Sequence, residues 1–257
     1  KSVNQSIFDY LPDHQNLKID GKEKITIEHL LTMTSGLEWN EWKEYLSSKS
    51  NDIINIWFQE KDPVSFVLEK PLKNNPGTSF TYSSGNTIVL GEIIKNATGM
   101  ELDKFYEEYL FKPLGIDSSD WGERYSNGVI EAGGGLEITP RDMVKIGVMY
   151  LNNGVSNGKR ILSKQWIENC TTVFANNKNI DIPGHDSGIH SYSYSWWLKT
   201  YTNFGKIINM SHGVGWGGQE IIVLPELNTV VVFTGGNYTA TIKVIEMLEE
   251  YILPAFD

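Results

Sequence analysis

The hydrophobic pattern of this chain changes from helical to extended periodicity along its length, and this order constrains the fold more than any other feature. In the first part, apolar residues recur at i, i+3 and i+4, as in amphipathic helices. After a polar stretch at residues 176–195, short β-rich runs follow, and then a last amphipathic segment. Helices, then antiparallel strands, then a helix predict an α+β fold: an antiparallel sheet flanked by helices, beside a helical lobe.

Helices can be placed by combining apolar spacing with the residues that start and stop them. The best marked one can be capped by Thr139, has Pro140 at its first position and closes at Gly154. The other predicted helices cover residues 26–33, 86–98 and 102–110. The last one carries its apolar face on Ile242, Ile245, Leu248 and Ile252.

The β-rich runs predict consecutive strands of one sheet. They cover residues 207–211, 219–224 and 229–234. Residues 225–228 link the last two as a hairpin. We therefore expect one domain over residues 1–257, with a mainly helical lobe at about 20–175 and a sheet region with the C-terminal helix at about 190–257.

The charge balance narrows the class of ligand. With 32 acidic and 22 basic side chains, the formal net charge of −10 gives no basic surface of the kind that binds nucleic acid. A small-molecule or peptide substrate is the expected partner. No apolar run approaches the ~20 residues that span a bilayer, so no membrane-spanning segment is predicted in this chain.

The cysteine content argues against disulfide and metal chemistry. Cys170 is the single cysteine, which excludes an intrachain disulfide, and no group of His and Cys has metal-ligand spacing. We therefore predict no metal site, and we interpret Cys170 as a buried structural thiol. The sequence leaves open whether the protein is exported or cytoplasmic.

A tyrosine stands out in the loop before one predicted helix, in the run Pro-Gly-Thr-Ser-Phe-Thr-Tyr-Ser-Ser-Gly-Asn at residues 76–86. A phenol flanked by Gly and Ser can point into a cleft and relay a proton, which suits Tyr82. The alternative is a ring that packs while its hydroxyl binds a loop backbone. Ser84 could provide a polar contact to a substrate.

A second candidate site is the glycine-rich run at residues 212–219, His-Gly-Val-Gly-Trp-Gly-Gly-Gln. Glycines such as Gly213 and Gly215 let backbone amides approach a ligand, and an edge strand with free N–H groups can stabilise an oxyanion. A plain turn or bulge is the alternative. His212 could bind a substrate carboxylate or join a hydrogen-bond network, or it could simply cap a strand. Trp216 could line a substrate pocket.

Three stretches, taken in order, resemble the class C branch of the β-lactamase and penicillin-binding-protein superfamily. They are residues 25–37, residues 76–86 and residues 212–219. Carboxylesterases, D-aminopeptidases and 6-aminohexanoate-dimer hydrolases are relatives within this branch. The Tyr-Ser-Ser-Gly-Asn form is similar to the amide-hydrolase relatives. The resemblance covers nearly the whole chain.

The resemblance implies a serine hydrolase that cleaves an amide or ester through an acyl-enzyme, without a cofactor. Tyr82 would then be catalytic, His212 would stand where the family has Lys, and the Gly215 amide would bind the oxyanion. Ser84, Gly213 and Trp216 would contact the substrate. The resemblance leaves β-lactams, D-amino-acid peptides, esters and ω-amino-acid oligomers open as substrates.

The nucleophile of the family, a serine in Ser-x-x-Lys, has no good match in this chain. Ser156 and Lys159 have the spacing but lie in an Asn/Gly-rich turn, whereas the motif must start a helix. We therefore expect the Ser and Lys upstream of Lys1, in a missing N-terminal segment of the same protein, and an inactive chain without them. The alternatives are a non-catalytic module of the same fold that binds a peptide or a β-lactam, and a purely structural fragment.

Overall fold

The computed structural model describes residues 2–42, 50–58, 62–122, 124–203, 205–238 and 240–256. The chain divides into two compact units. The first unit comprises Lys1–Glu108 and Ser119–Glu137, and the second comprises Tyr109–Ser118 and Ile138–Asp257. Each unit is therefore built from two separate stretches of the chain.

The first unit is built from short helices around one apolar core. Its helices are α1 (Ile27–Leu31), α2 (Asp52–Trp57), α3 (Pro63–Leu68), α4 (Ser84–Thr98) and α5 (Leu102–Tyr106), and 3-10 turns cover Ile7–Tyr10, Pro12–Leu17 and Lys22–Lys24. The core holds large side chains such as Phe8, Leu30, Trp39, Leu68 and Ile88. The helices predicted at residues 26–33 and 86–98 are confirmed as α1 and α4.

The ends of α4 are fixed by local chemistry. The side chain of Ser83 accepts a hydrogen bond from the Asn86 amide, which satisfies one of the free N–H groups at the helix start. Gly99 ends the helix with φ of 72°, a left-handed conformation that glycine adopts without steric cost. Because α4 is anchored at its first turn, the residues just before it, including Tyr82, have a defined position.

The second unit combines helices with a six-stranded sheet. Its helices are α6 (Lys112–Leu114), α7 (Pro140–Leu151), α8 (Lys164–Cys170) and α9 (Val244–Met247). A small hairpin of β1 (Val155–Ser156) and β2 (Lys159–Arg160) precedes the sheet, which contains β3 (Ile180–Asp181), β4 (Ile189–Tyr192), β5 (Trp197–Asn203), β6 (Lys206–Gly215), β7 (Gln219–Leu224) and β8 (Thr229–Phe233). The strands follow one another in sequence order and every pair is antiparallel.

Helices cover both faces of this sheet. On one face α7 comes so close that a Cβ on Gly147 would lie 2.5 Å from Cγ1 of Val230 and 3.1 Å from Cγ2 of Ile221. On the other face Ile208, Met210 and Ile222 pack with the C-terminal helical segment in one buried cluster. The predicted α+β architecture, an antiparallel sheet flanked by helices, is confirmed.

The neighbours of β6 change along its length. β5 pairs with β6 from Asn203 opposite Lys206 to Trp197 opposite His212. β7 pairs with β6 further on, up to Gly215 opposite Gln219. Among the described residues, the last residues of β6 therefore have a strand partner on the β7 side only.

Several elements differ from the sequence prediction. Residues predicted as one helix to position 110 form α5 and then a π-helical turn, Glu107–Phe111. The polar stretch at residues 176–195 contains β3 and β4, which alternating polarity did not reveal because they are short. The Ser156 and Lys159 pair lies in the β1–β2 hairpin, with Asn157 and Gly158 at φ of 49° and 74°. Its assignment to a turn is confirmed.

Candidate active site

Tyr82 is held by an aromatic neighbour immediately before α4. Its ring stacks on the indole of Trp42, with the centroids 5.1 Å apart and an interplanar angle of 15°. The same indole lies 6.4 Å from the ring of Phe80. Tyr82 is half-buried, so one side of the phenol is fixed by packing while part of it stays accessible to solvent.

Ser84, the first residue of α4, binds a buried carboxylate. Its amide donates to Oε2 of Glu41 at 2.8 Å, and its hydroxyl donates to Oε1 at 3.1 Å. Nε1 of Trp39 also donates to Oε2 of Glu41, at 2.6 Å. Burial raises the pKa of Glu41, although the hydrogen bonds from Ser84 and Trp39 oppose this shift. The Ser84 hydroxyl is thus occupied within the protein, and substrate contact by Ser84 stays a prediction.

A second buried acid, Glu131, lies near the start of α4. Glu131 accepts hydrogen bonds from the Gly133 amide, at 2.7 Å, and from the hydroxyl of Tyr125. A Cβ on Gly133 would lie 2.7 Å from Oε1 of Glu131 and 3.0 Å from Cβ of Ser84. A side chain at position 133 would therefore crowd both the Glu131 carboxylate and the start of α4.

His212 lies in a buried network under the sheet. Its side chain is fully buried, and Nδ1 lies 2.8 Å from Oε2 of Glu220. Nε2 of His185 lies 2.9 Å from Oε1 of the same carboxylate, and the ring of His190 lies 5.0 Å from that of His212. Burial lowers the pKa of His212. Burial alone would raise the pKa of Glu220, but the contacts with His185 and His212 lower it.

The side-chain alternation along β6 places His212 on the opposite face of the sheet from Gly213 and Gly215. Successive side chains of a strand point to opposite faces. His212 therefore shares the face of Ile208 and Met210, whereas Gly213 and Gly215 share the other face. A Cβ on Gly213 would meet no atom within 4 Å, so the backbone there is open to approach. The catalytic role predicted for His212 stays a prediction.

The N–H and C=O groups of successive β6 residues also alternate in direction. The Gly215 carbonyl accepts a hydrogen bond from the Gly218 amide at 3.3 Å, within the turn to β7. The N–H and C=O of one antiparallel strand residue point to the same side, and the next residue points to the other. The Gly215 amide therefore faces β7. The Val214 amide faces the side on which β5 has already ended.

Trp216 lies at the tip of the β6–β7 turn. It is 56% exposed, and its ring contacts that of Tyr238 edge-on at 4.9 Å. Gly217 permits this contact, because a Cβ there would lie 2.5 Å from Tyr238. The two rings form an exposed aromatic pair beside the end of β6, where apolar parts of a ligand could bind.

The predicted site residues fall into two groups. Tyr82 and Ser84 lie together in the first unit, and His212, Gly213, Gly215 and Trp216 lie together in the second. Sequence reasoning missed Glu41, Glu220, Glu131 and Tyr238. Single acidic residues without a motif gave no signal, although the run Trp-Asn-Glu-Trp at residues 39–42 is unusually aromatic.

The described ranges contain neither a candidate metal site nor a candidate membrane-spanning helix. Within these ranges, no group of three or more His, Cys, Asp or Glu side chains is arranged to hold a metal ion. None of the helices in the same ranges has the length and apolar character needed to cross a membrane.

Comparison with known proteins gives a consistent result. The model of the family described as "Beta-lactamase" matches residues 2–240. The 6-aminohexanoate-dimer hydrolase of Paenarthrobacter ureafaciens is 27% identical over 238 residues, which is 89% of this chain and 58% of that protein. The chain thus spans less than two thirds of the length of this curated relative.

Solved structures with the same fold are also similar. A Bacillus anthracis protein assigned as a 6-aminohexanoate-dimer hydrolase superposes with a TM-score of 0.79 at 21% identity, over 100% of this chain and 66% of that one. A D-stereospecific amidohydrolase from Streptomyces superposes with a TM-score of 0.68 at 18% identity, over 98% and 79%. At these identities the likeness establishes the fold.

Proposed function

Since the chain belongs to the beta-lactamase family, we propose that its protein is a serine hydrolase that cleaves an amide or ester bond through an acyl-enzyme. The observation that carries the proposal is the fixed position of Tyr82. Its ring stacks on Trp42, and the residue two positions later binds Glu41. A phenol positioned so tightly, yet half-exposed, suits proton transfer.

The nucleophile of this proposal comes from outside the chain. A serine hydroxyl with a lysine beside it would precede Lys1 in the protein, so this chain alone would be inactive. The serine would attack the carbonyl carbon, and Tyr82 would help to move its proton to the leaving group. Water would then attack the acyl-enzyme, release the acid and restore the serine.

The strand β6 supplies the proposed oxyanion donor. The position in the motif predicts that the Gly215 amide binds the oxyanion. The alternating direction of the N–H groups along β6 favours the Val214 amide instead, because it points away from β7. Either N–H would stabilise the negative charge that develops on the carbonyl oxygen. We propose that His212 acts indirectly, because its buried contact with Glu220 holds this strand in place.

The substrate proposed is a small amide or ester. The 6-aminohexanoate-dimer hydrolase and the amidohydrolase among the similar proteins support this choice over a β-lactam. Trp216, with Tyr238 beside it, would contact apolar parts of the substrate, and Ser84 and Gly213 would provide polar and backbone contacts. Pocket shape, which differs among members of one fold, decides the actual substrate.

The test uses the whole protein, with the native sequence that precedes Lys1. We expect hydrolysis of p-nitrophenyl esters or of a linear amide, weak activity on nitrocefin, and a loss of about 10²-fold or more in kcat for Tyr82→Phe. Tyr10→Phe is the matched control, because this tyrosine of the same unit is likewise half-buried, and its hydroxyl donates a hydrogen bond to Gln5. Equal activity of Tyr82→Phe and wild type would remove the role of Tyr82.

Mass spectrometry separates hydrolysis from binding alone. A hydrolase should form an acyl adduct on a serine upstream of Lys1 when it meets a slow ester or a β-lactam. Saturable binding of such a compound, without an adduct and without turnover, would contradict the proposal. It would support a non-catalytic binding module of the same fold.

A further inference from the structure

We propose that Glu41 is a positioning residue for Tyr82 and acts through Ser84. The inference rests on the proposed function, in which Tyr82 moves a proton. Glu41 lies 41 positions before Tyr82 in the chain, and no motif of the sequence marks it. Its carboxylate is almost completely buried, with 7% of the residue exposed.

The hydrogen bonds of Glu41 leave it little freedom. One oxygen accepts from the Ser84 amide and from Nε1 of Trp39, and the other accepts from the Ser84 hydroxyl. Charge-assisted hydrogen bonds of this kind are stronger than neutral ones. Because two of them bind backbone and side chain of the same residue, they fix the position and the orientation of Ser84.

The two segments that meet here contact each other at three successive points. Trp39 packs against the first turn of α4, where a Cβ on Gly85 would lie 2.8 Å from the indole. Glu41 binds Ser84, and Trp42 stacks on Tyr82. Residues 39–42 thus contact residues 82–85 at three places: the ring of Tyr82, the amide and hydroxyl of Ser84, and the backbone of Gly85.

Capping of α4 does not by itself explain this arrangement. The Ser83 side chain already accepts from the Asn86 amide as the local cap. A carboxylate near the start of a 15-residue helix is favourable because of the helix dipole. However, Glu41 is supplied by a distant segment and carries Trp42 directly beside it. The same short segment therefore sets both the backbone after Tyr82 and the face of its ring.

The acceptor role predicts different results for three variants. Glu41→Gln keeps an oxygen for the Ser84 and Trp39 N–H groups, so kcat should stay within about threefold of wild type. Glu41→Ala removes every acceptor and should lower kcat by about tenfold or more, with little change in KM, because the reacting group is misplaced. If Glu41→Ala does not fold, Glu41→Asp, which draws the carboxylate back by one methylene, provides the same test.

The matched control for Glu41→Ala is Asp62→Ala. Asp62 also accepts from a backbone amide at the start of a helix, that of Ser65 at 2.7 Å, in the same unit. Its hydrogen bonds and ion pairs within the described residues do not involve residues 82–85. We expect Asp62→Ala to lower stability and to leave kcat unchanged, whereas Glu41→Ala lowers kcat.

A spectroscopic measurement distinguishes this inference from the proposed function. Near-ultraviolet circular dichroism of wild type minus Tyr82→Phe gives the signal of the Trp42–Tyr82 stack. We expect Glu41→Ala to reduce this signal and Glu41→Gln to preserve it. If the whole protein shows no turnover but the signal responds in this way, the proposed function fails and the positioning role stands. If Glu41→Ala folds and changes neither the signal nor kcat, the positioning role is overturned.

Discussion

The indole of Trp42 and the phenol of Tyr82 lie almost parallel, 5.1 Å apart between centroids. This contact joins the segment after α1 to the turn before α4, and it holds one face of the tyrosine ring. The family motif includes the tyrosine, but the ring that supports it comes from elsewhere in the chain.

Trp42→Ala should destabilise the first unit more than Trp42→Phe. Stacked aromatic pairs contribute about 0.5–1.5 kcal/mol beyond the area that they bury, and Phe retains part of the stack. We expect the two variants to differ by about 1 kcal/mol in free energy of unfolding, measured by urea denaturation. Trp216→Ala is the control, because Trp216 is 56% exposed. Equal losses for both Trp42 variants would show that the stack contributes nothing.

Gly85→Ala should lower the free energy of unfolding by about 1–3 kcal/mol, because the added methyl group overpacks the site. Its Cβ would lie 2.8 Å from the Trp39 indole and 2.9 Å from Cγ2 of Val67. Gly134→Ala is the matched control, since a Cβ there would meet no atom within 4 Å. Thermal unfolding of both variants measures the difference. A stabilised Gly85→Ala would mean that Trp39 moves at no cost.

The second unit should lose stability as the pH falls below neutral. Burial, together with the nearby His212, lowers the pKa of His190 to about 3. The unfolded chain, with a histidine pKa of about 6.5, therefore binds a proton that the folded unit does not. This stability is present above pH ~6.5 and is lost toward pH ~3, at about 1.4 kcal/mol per pH unit for each such histidine. His190→Gln should flatten the pH dependence of urea unfolding in this window.

His14, in the first unit, provides a control because its pKa is shifted in the opposite direction from that of His190. A hydrogen bond to Asp62 raises the pKa of His14 above its ordinary value. Its contribution to stability is therefore complete below pH ~6.5 and is lost as the pH rises through the raised pKa. His14→Gln should cost stability mainly at acid pH, whereas His190→Gln should gain it there. The same direction for both variants would contradict the assigned protonation states.

Cys170 should be unreactive in the folded protein. Burial raises the pKa of its thiol to about 11, so roughly one molecule in 10³ carries a thiolate at pH 8. Labelling with a thiol reagent should be very slow without denaturant and complete in guanidinium chloride. Fast labelling of the native protein would show that α8, which carries the cysteine, opens readily.

Local patterns predicted the elements that rely on local interactions. Thr139 with Pro140, and Gly99, fix helix ends through hydrogen bonds and backbone angles that involve only a few neighbouring residues. The β-rich runs of β6, β7 and β8 were likewise visible, because their apolar residues must face the helices on the sheet. Motif order gave the family, and with it Tyr82 and the glycines of β6.

Contacts between distant parts of the chain were not predictable in this way. Glu41 is an ordinary acidic residue until folding brings it to the amide of Ser84, and Glu220 is unremarkable until β7 pairs with β6 beside His212. The strand register also determined the directions of the groups on β6, which the motif did not predict. The alternation of β6 puts His212 on the opposite face from Gly213 and Gly215 and directs the Gly215 amide toward β7.

The sequence by itself thus determined the fold class, the main helix boundaries, the last strands and the family. Periodicity and capping depend on residues close together in the chain, and the order of the motifs can be read directly from the sequence. Tertiary structure decided which groups support Tyr82 and where the side chain of His212 and the amides of β6 point. Those outcomes depend on packing and strand pairing between residues far apart in the chain. A carboxylate such as that of Glu41 acquires its role only where burial removes water and leaves a few fixed donors.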